Sequence, residues 1–121
     1  MNSRVLIVED DPDFAETLAI ALEILDFGVV RFRSAEEAEA HAGVSGLTDV
    51  RLGFFDVKLA KEDGITCMRK LLNSSPGLNG VIMTGFRDER LMQQARDAGA
   101  VDVLLKPFRM SAFIALVREY A

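Results

Sequence analysis

Four apolar runs in this chain end in polar side chains of the kinds that phosphoryl chemistry uses. Val5-Leu6-Ile7-Val8 is followed by Glu9-Asp10-Asp11, and Leu52-Gly53-Phe54-Phe55 by Asp56. Val81-Ile82-Met83 is followed by Thr84, and Val101-Asp102-Val103-Leu104-Leu105 by Lys106-Pro107. Asp56 is the centre of this set, because packing gives no reason for a carboxylate after two phenylalanines. A carboxylate can attack a phosphoryl group to give an aspartyl phosphate, if the reactants are held in line and the developing charge is neutralised. Asp56 is then the phosphoacceptor. Three carboxylates brought close together repel one another, and a hard divalent cation with oxygen ligands is the natural compensation. Mg²⁺ suits the site, since it takes one to three carboxylates and keeps waters and phosphate oxygens in its shell. Asp10 and Asp11 are expected to hold it, with Asp56 and the backbone carbonyl of Lys58 completing the protein ligands. Lys106 brings a compact positive charge to the phosphoryl oxygens, and the Thr84 hydroxyl donates to one of them.

Taken singly, each residue has an ordinary explanation. Thr84 would be a strand-end hydroxyl bonded to its own backbone, Lys106 a solvated terminus, and the acidic crowd Glu9, Asp10, Asp11 and Asp13 either a solvated loop or a cation site. Only the conjunction points to a site, and it requires elements that bring these strand ends together.

Those elements are legible. Val5–Val8 is aliphatic without alternation, as a central parallel strand is. Asp11-Pro12 reads as an N-cap and first helical residue, after which Phe14, Leu18, Ala21, Leu22 and Leu25 recur at helical spacing until Gly28. Val29, Val30 and Phe32 alternate with Arg31 and Arg33, a more polar strand suited to a sheet edge. Ser34-Ala35-Glu36-Glu37 is a capping box opening a helix to about Ala42. His41 then lies near that helix end as a solvated side chain with no second His or Cys for a metal site. Val50–Phe55 is the third strand. Ile65, Met68, Leu71 and Leu72 mark a third helix, and Val81–Met83 the fourth strand. Leu91, Met92, Ala95 and Ala98 mark a fourth helix with a thin apolar stripe. Residues 101–105 form the fifth strand and Ser111–Tyr120 a last helix, most of whose apolar surface is core. Five strand-helix alternations specify a parallel sheet with right-handed crossovers and helices on both faces. All strands then point one way, and Asp10, Asp11, Asp56, Thr84 and Lys106 meet at the carboxyl edge, where open α/β sheets bind ligands.

Length and composition agree with one domain. The chain has 121 residues and 13.3 kDa, enough to bury about two thirds of its unfolded surface. A net charge of -5 argues against wide contact with a phosphate backbone, so direct nucleic-acid binding is not expected. No apolar run approaches the roughly 18 residues of a membrane span, and no signal-peptide pattern opens the chain. Cys67 stands alone, excluding an internal disulfide, fitting a reducing cytoplasm and reading as a buried, inert thiol. No Gly-rich phosphate loop or zinc spacing competes.

Across nearly its whole length the chain resembles the receiver domains of two-component response regulators. The matching pieces are VLIVEDD (5–11), the FFD strand with Asp56, Asp63-Gly64, VIMTG (81–85) and AGAVDVLLKPF (98–108). The resemblance implies a flavodoxin-like (βα)5 three-layer sandwich with strand order 2-1-3-4-5. It implies that Asp56 accepts phosphate from a histidine kinase or histidine phosphotransfer protein, with Mg²⁺, and that the domain catalyses its own dephosphorylation. It also implies a cis Lys106-Pro107 peptide, and output through the fourth helix, fifth strand and fifth helix, a face open to a second copy or an output partner. The 14 residues after Pro107 suffice for one helix, so a single receiver domain over residues 1–121 without an output domain is expected. Two departures stand out. Val103 occupies the place, three residues before the lysine, where receivers commonly carry a switching Tyr or Phe. Ala60 replaces a frequent Pro four residues after the acceptor, which should loosen that loop. Two rival functions follow: a receiver-like module that binds partners without phosphate, which Val103 favours, and a Mg²⁺-dependent phosphohydrolase. The second usually carries another Asp two residues after its nucleophile, where this chain has Lys58.

Overall fold

The computed structural model describes residues 3–59 and 61–121. Strands and helices alternate as β1 (Arg4–Val8), α1 (Pro12–Ile24), β2 (Gly28–Phe32), α2 (Ala35–Ser45), β3 (Val50–Asp56), α3 (Gly64–Ser74), β4 (Asn79–Thr84), α4 (Glu89–Asp97), β5 (Asp102–Leu105) and α5 (Met110–Tyr120). All strand pairs are parallel, and the sheet order is β2-β1-β3-β4-β5. The flavodoxin-like topology is therefore observed, with the polar β2 at one edge.

Successive side chains on a strand point to opposite faces, and the core divides accordingly. Val5, Ile7, Leu52, Phe54, Val81, Met83 and Leu104 pack with α1 and α5, where the Phe54 and Phe113 rings lie 4.6 Å apart. Leu6, Val8, Phe55 and Ile82 face α2, α3 and α4 instead. Each face is covered by helices, giving three layers. The α5 residues Phe113, Leu116 and Val117 are buried, so most of that helix's apolar surface is core. Only Ala95 of α4 is fully buried.

Helix starts follow their caps. The Asp11 carboxylate accepts from the Asp13 and Phe14 amides at 3.1 and 3.3 Å. Ser34 Oγ accepts from Glu37 N at 3.2 Å, while Glu37 reaches back to the Arg33 amide at the same distance. Asp63 accepts from Thr66 N at 2.9 Å. One expectation fails on α2, which continues to Ser45 rather than ending near Ala42. His41 is therefore inside the helix, half-buried, with its ring 5.1 Å from that of Phe32 and its Nε2 buried without a partner. It is not a solvated terminal residue, because the β2 edge packs over it. Cys67 is buried as expected, and burial pushes its thiol up to about 12. Ala60 and the loosening assigned to it lie outside the described residues.

Candidate functional site

Register decides which acids meet. β1 and β3 pair with Val8 opposite Phe55, and β3 and β4 with Asp56 opposite Met83. One step beyond Val8 is Glu9, whose amide still donates to Phe32 O at 3.0 Å. Glu9 thus continues the β1 ladder and comes level with Asp56. One oxygen each from Glu9, Asp10 and Asp56 lies within 4.8 Å of the others.

The acids whose oxygens gather with Asp56 are Glu9 and Asp10, rather than the expected Asp10 and Asp11. Asp11 is exposed and its carboxylate is committed to capping α1, so it is not in the oxygen cluster. In the sequence Glu9 is one of four crowded acids, and residue type alone gives it no role of its own. The Asp11-Pro12 cap carried the missing information, since a carboxylate holding two helix amides is not also free to face the strand ends.

Lys106 reaches across from β5. Its Nζ donates to Glu9 Oε1 at 2.7 Å, lies 3.4 Å from Asp56 Oδ1, and sits 4.5 Å from the centre of the Phe14 ring. Its backbone is fixed as well, with N donating to Thr84 O at 2.6 Å, and the following peptide to Pro107 is cis. Glu9 is 1 % exposed and Asp56 7 %. Burial drives the Glu9 carboxyl upward, the Lys106 hydrogen bond opposes this and the Asp56 charge adds to it, leaving Glu9 at about 7. Burial pulls the Lys106 ammonium down, but the hydrogen bond to Glu9 and the charges of Asp56 and Glu9 outweigh it, so the net shift is upward. A simple ion pair would lower the acid; here desolvation and a second carboxylate decide, and the ammonium is the firmly charged partner.

Thr84 is fully buried at the end of β4. Its Oγ1 accepts from the Phe86 amide at 3.0 Å, which leaves the hydroxyl proton to donate. By strand alternation Thr84 shares the face of Ile82, toward α3 and α4, whereas Glu9, Asp56 and Lys106 share the face of Ile7, Phe54 and Leu104, toward α1 and α5. Val103 is half-buried and packs against the core on the α3 and α4 side. The Lys58 amide donates to Asp56 Oδ1 at 3.4 Å, while its exposed ammonium lies 4.6 Å from the centre of the Phe86 ring. Gly64 begins α3 directly against Asp56: a Cβ there would stand 1.9 Å from the Asp56 carbonyl oxygen.

The donor set fits a hard cation. Three carboxylate oxygens converge with a single ammonium as internal compensation, so a divalent ion with oxygen affinity would relieve the remaining repulsion.

Comparisons with known proteins place the chain in a family. The family described as "Response regulator receiver domain" matches residues 5–118. The C4-dicarboxylate transport transcriptional regulatory protein DctD of Rhizobium meliloti is 31% identical over 95% of this chain and 24% of its own length. The DNA-binding response regulator MtrA of Mycolicibacterium smegmatis is 32% identical over 98% of this chain and 50% of its own. The chain thus spans half the length or less of these two relatives. Among solved structures, the BeF3-activated RstA receiver domain of Klebsiella pneumoniae superposes with a TM-score of 0.85 at 26% identity, covering 97% of each chain. A Burkholderia pseudomallei response regulator with a phosphorylated aspartic acid, calcium ion and citrate gives 0.84 at 25%, covering 94% of this chain and 65% of that one.

Proposed function

From the premise that this chain belongs to the response regulator receiver domain family, we propose that it is a phosphoacceptor switch in which Asp56 takes a phosphoryl group from a histidine kinase or histidine phosphotransfer protein. An Asp56 carboxylate oxygen forms a bond to phosphorus as the bond from phosphorus to the donor imidazole nitrogen breaks, and the electron pair leaves with the imidazole. Lys106 supplies positive charge to the phosphoryl oxygens, and the Thr84 hydroxyl donates to one of them. Glu9, Asp10 and Asp56, with the Lys58 carbonyl, would hold Mg²⁺, which when bound neutralises the charge gathering on the transferred group. The protein acts in the cytoplasm as a signalling component, turning over only its own phosphoryl group.

The output follows from where the new charge falls. An aspartyl phosphate adds about -1.5 to -2 charge by analogy with other phosphorylated side chains. Thr84 and Lys106 can answer it only by moving closer. The two are already linked through the Lys106 N to Thr84 O bond, and α4 is held by a single fully buried side chain, so α4, β5 and α5 form the responsive face. Val103 cannot flip as an aromatic would, and the movement passes instead through backbone and helix shifts.

The observation that carries this reading is the Lys106 ammonium seated between Glu9 and Asp56, beside a three-carboxylate oxygen cluster. Incubation with acetyl phosphate and Mg²⁺ should add one phosphoryl mass to the intact chain and none to Asp56→Asn. Equal labelling of both, or labelling independent of Mg²⁺, would refute it.

A further inference from the structure

The Lys106 ammonium has three donors, and carboxylates account for two of them, Glu9 at 2.7 Å and Asp56 at 3.4 Å. Another side of it meets the face of Phe14, with Nζ 4.5 Å from the ring centre. Phe14 is half-buried in the first turn of α1. Its amide donates to Asp11 at 3.3 Å, so the carboxylate that stays out of the oxygen cluster fixes the backbone beneath the ring.

The ring itself is held by other rings. Phe14 meets Phe108 edge to face, with centres 5.7 Å apart and planes at 75°. Phe108 lies nearly parallel to Phe113 at 6.4 Å, and Phe113 packs on Phe54 at 4.6 Å. Phe113 and Phe54 are fully buried, and all three separations suit favourable aromatic pairs. This column runs from the core out to the ammonium. Phe54 precedes Asp56 by two residues on β3 and shares its face. The ring under the lysine is therefore keyed to the strand that carries the acceptor.

Packing alone explains an apolar residue at position 14. It does not explain a ring set against a cation, since a leucine, as at positions 18 and 22 of the same helix, serves packing without a face for charge. A lysine is a point charge on a flexible four-carbon stem, and the Lys106 side chain is 25% exposed. Without a fixed partner on its open side the ammonium can turn to water, and returning it is a cost borne as charge develops on the phosphoryl group. The negative face of an aromatic ring is such a partner, and its pull is strongest where water is excluded.

We infer that Phe14 is a positioning residue for phosphoryl transfer: its ring face holds the Lys106 ammonium beside Asp56, and the Phe108, Phe113 and Phe54 rings hold Phe14. Phe14 acts only through the lysine. The inference rests on Asp56 accepting phosphate and adds a residue to that reaction.

The test is the rate at which acetyl phosphate with Mg²⁺ adds one phosphoryl mass to the full chain. Phe14→Leu should slow labelling about five- to tenfold. Phenylalanine carrying one, two or three ring fluorines, placed at position 14, keeps the shape closely and drains the negative face stepwise, so labelling should slow with each fluorine. A packing role alone would leave that series flat. Equal rates across the fluorinated series in a labelled parent would overturn this inference alone, whether Phe14→Leu is slow or unfolds. Phe14→Leu labelling as fast as the parent would do the same. A parent that takes no label would overturn the reading of Asp56 as acceptor, and this inference with it.

Discussion

The two sides of Asp56 are built on opposite plans. Toward α1 and α5 the neighbours are Glu9 and Lys106, buried or half-buried, with the ammonium bonded to Glu9, close to the acceptor and resting on Phe14. Toward α3 and α4 the neighbours are the buried Thr84 hydroxyl, a glycine at the start of α3, and an exposed lysine resting on an exposed ring. The first side is locked by mutual charge, and its rearrangement means moving ions through a low-dielectric space. The second is held by helix caps and weak contacts and can move at small cost. The charged contacts to Asp56 thus come from the α1 and α5 side, and the loosely held α4 lies on the other.

The contrast breaks most readily at Gly64. Gly64→Ala forces a methyl group into the Asp56 carbonyl, and overpacking of this kind costs about 3 kcal/mol. Denaturant unfolding should show that loss, and acetyl phosphate labelling of Asp56 should slow in the fraction that stays folded. Unchanged stability would mean that α3 is not seated on the acceptor backbone.

Charge on the locked side is tested by Glu9→Gln in a metal-free, chelator-treated buffer. The Glu9 carboxyl keeps its proton up to about 7 in the fold, but only to its ordinary 4.5 when unfolded. Between those values the native state binds more protons, so its contribution to stability is fully present below 4.5 and declines as pH rises to about 7. The glutamine variant should therefore melt at the same temperature as the parent near pH 4.5. At pH 8 it should be the more stable of the two by about 1 to 2 kcal/mol, and so melt higher. A destabilised variant at pH 8 would mean that the Lys106 pairing outweighs the burial of Glu9.

Smaller effects belong to the open side. Lys58→Ala removes a cation over Phe86 worth about 0.5 to 1 kcal/mol. If that contact helps to close the mouth of the site, the aspartyl phosphate should hydrolyse about two- to fivefold faster. An unchanged lifetime would detach Lys58 from the site. Cys67, with its thiol pushed up to about 12 by burial, should resist iodoacetamide at pH 8 and react only on unfolding.

Much of this was legible beforehand, for identifiable reasons. Asp56, Thr84 and Lys106 were locatable because each ends an apolar run, and a parallel sheet sends every such end to one edge. Period and caps set the element order, and the charged second strand marked an edge. The slip from Glu9 to Asp11 has an equally physical source. In Glu9-Asp10-Asp11 all three side chains are carboxylates, so residue type cannot say where the strand stops, and only the pairing of Val8 with Phe55 does. His41 lies inside α2 rather than at its end because Gly43, a weak helix former, is carried within the helix by its packing on the sheet.

Gly64 places the first turn of α3 against main chain rather than against a side chain. A joint made on main chain is indifferent to the shape of the residues around it. Mutations can rework the hydrophobic lining on either side while the first turn of α3 still registers any displacement of the strand that carries Asp56. The glycine thus acts as a mechanical bearing, and its bare α-carbon makes the seating tight.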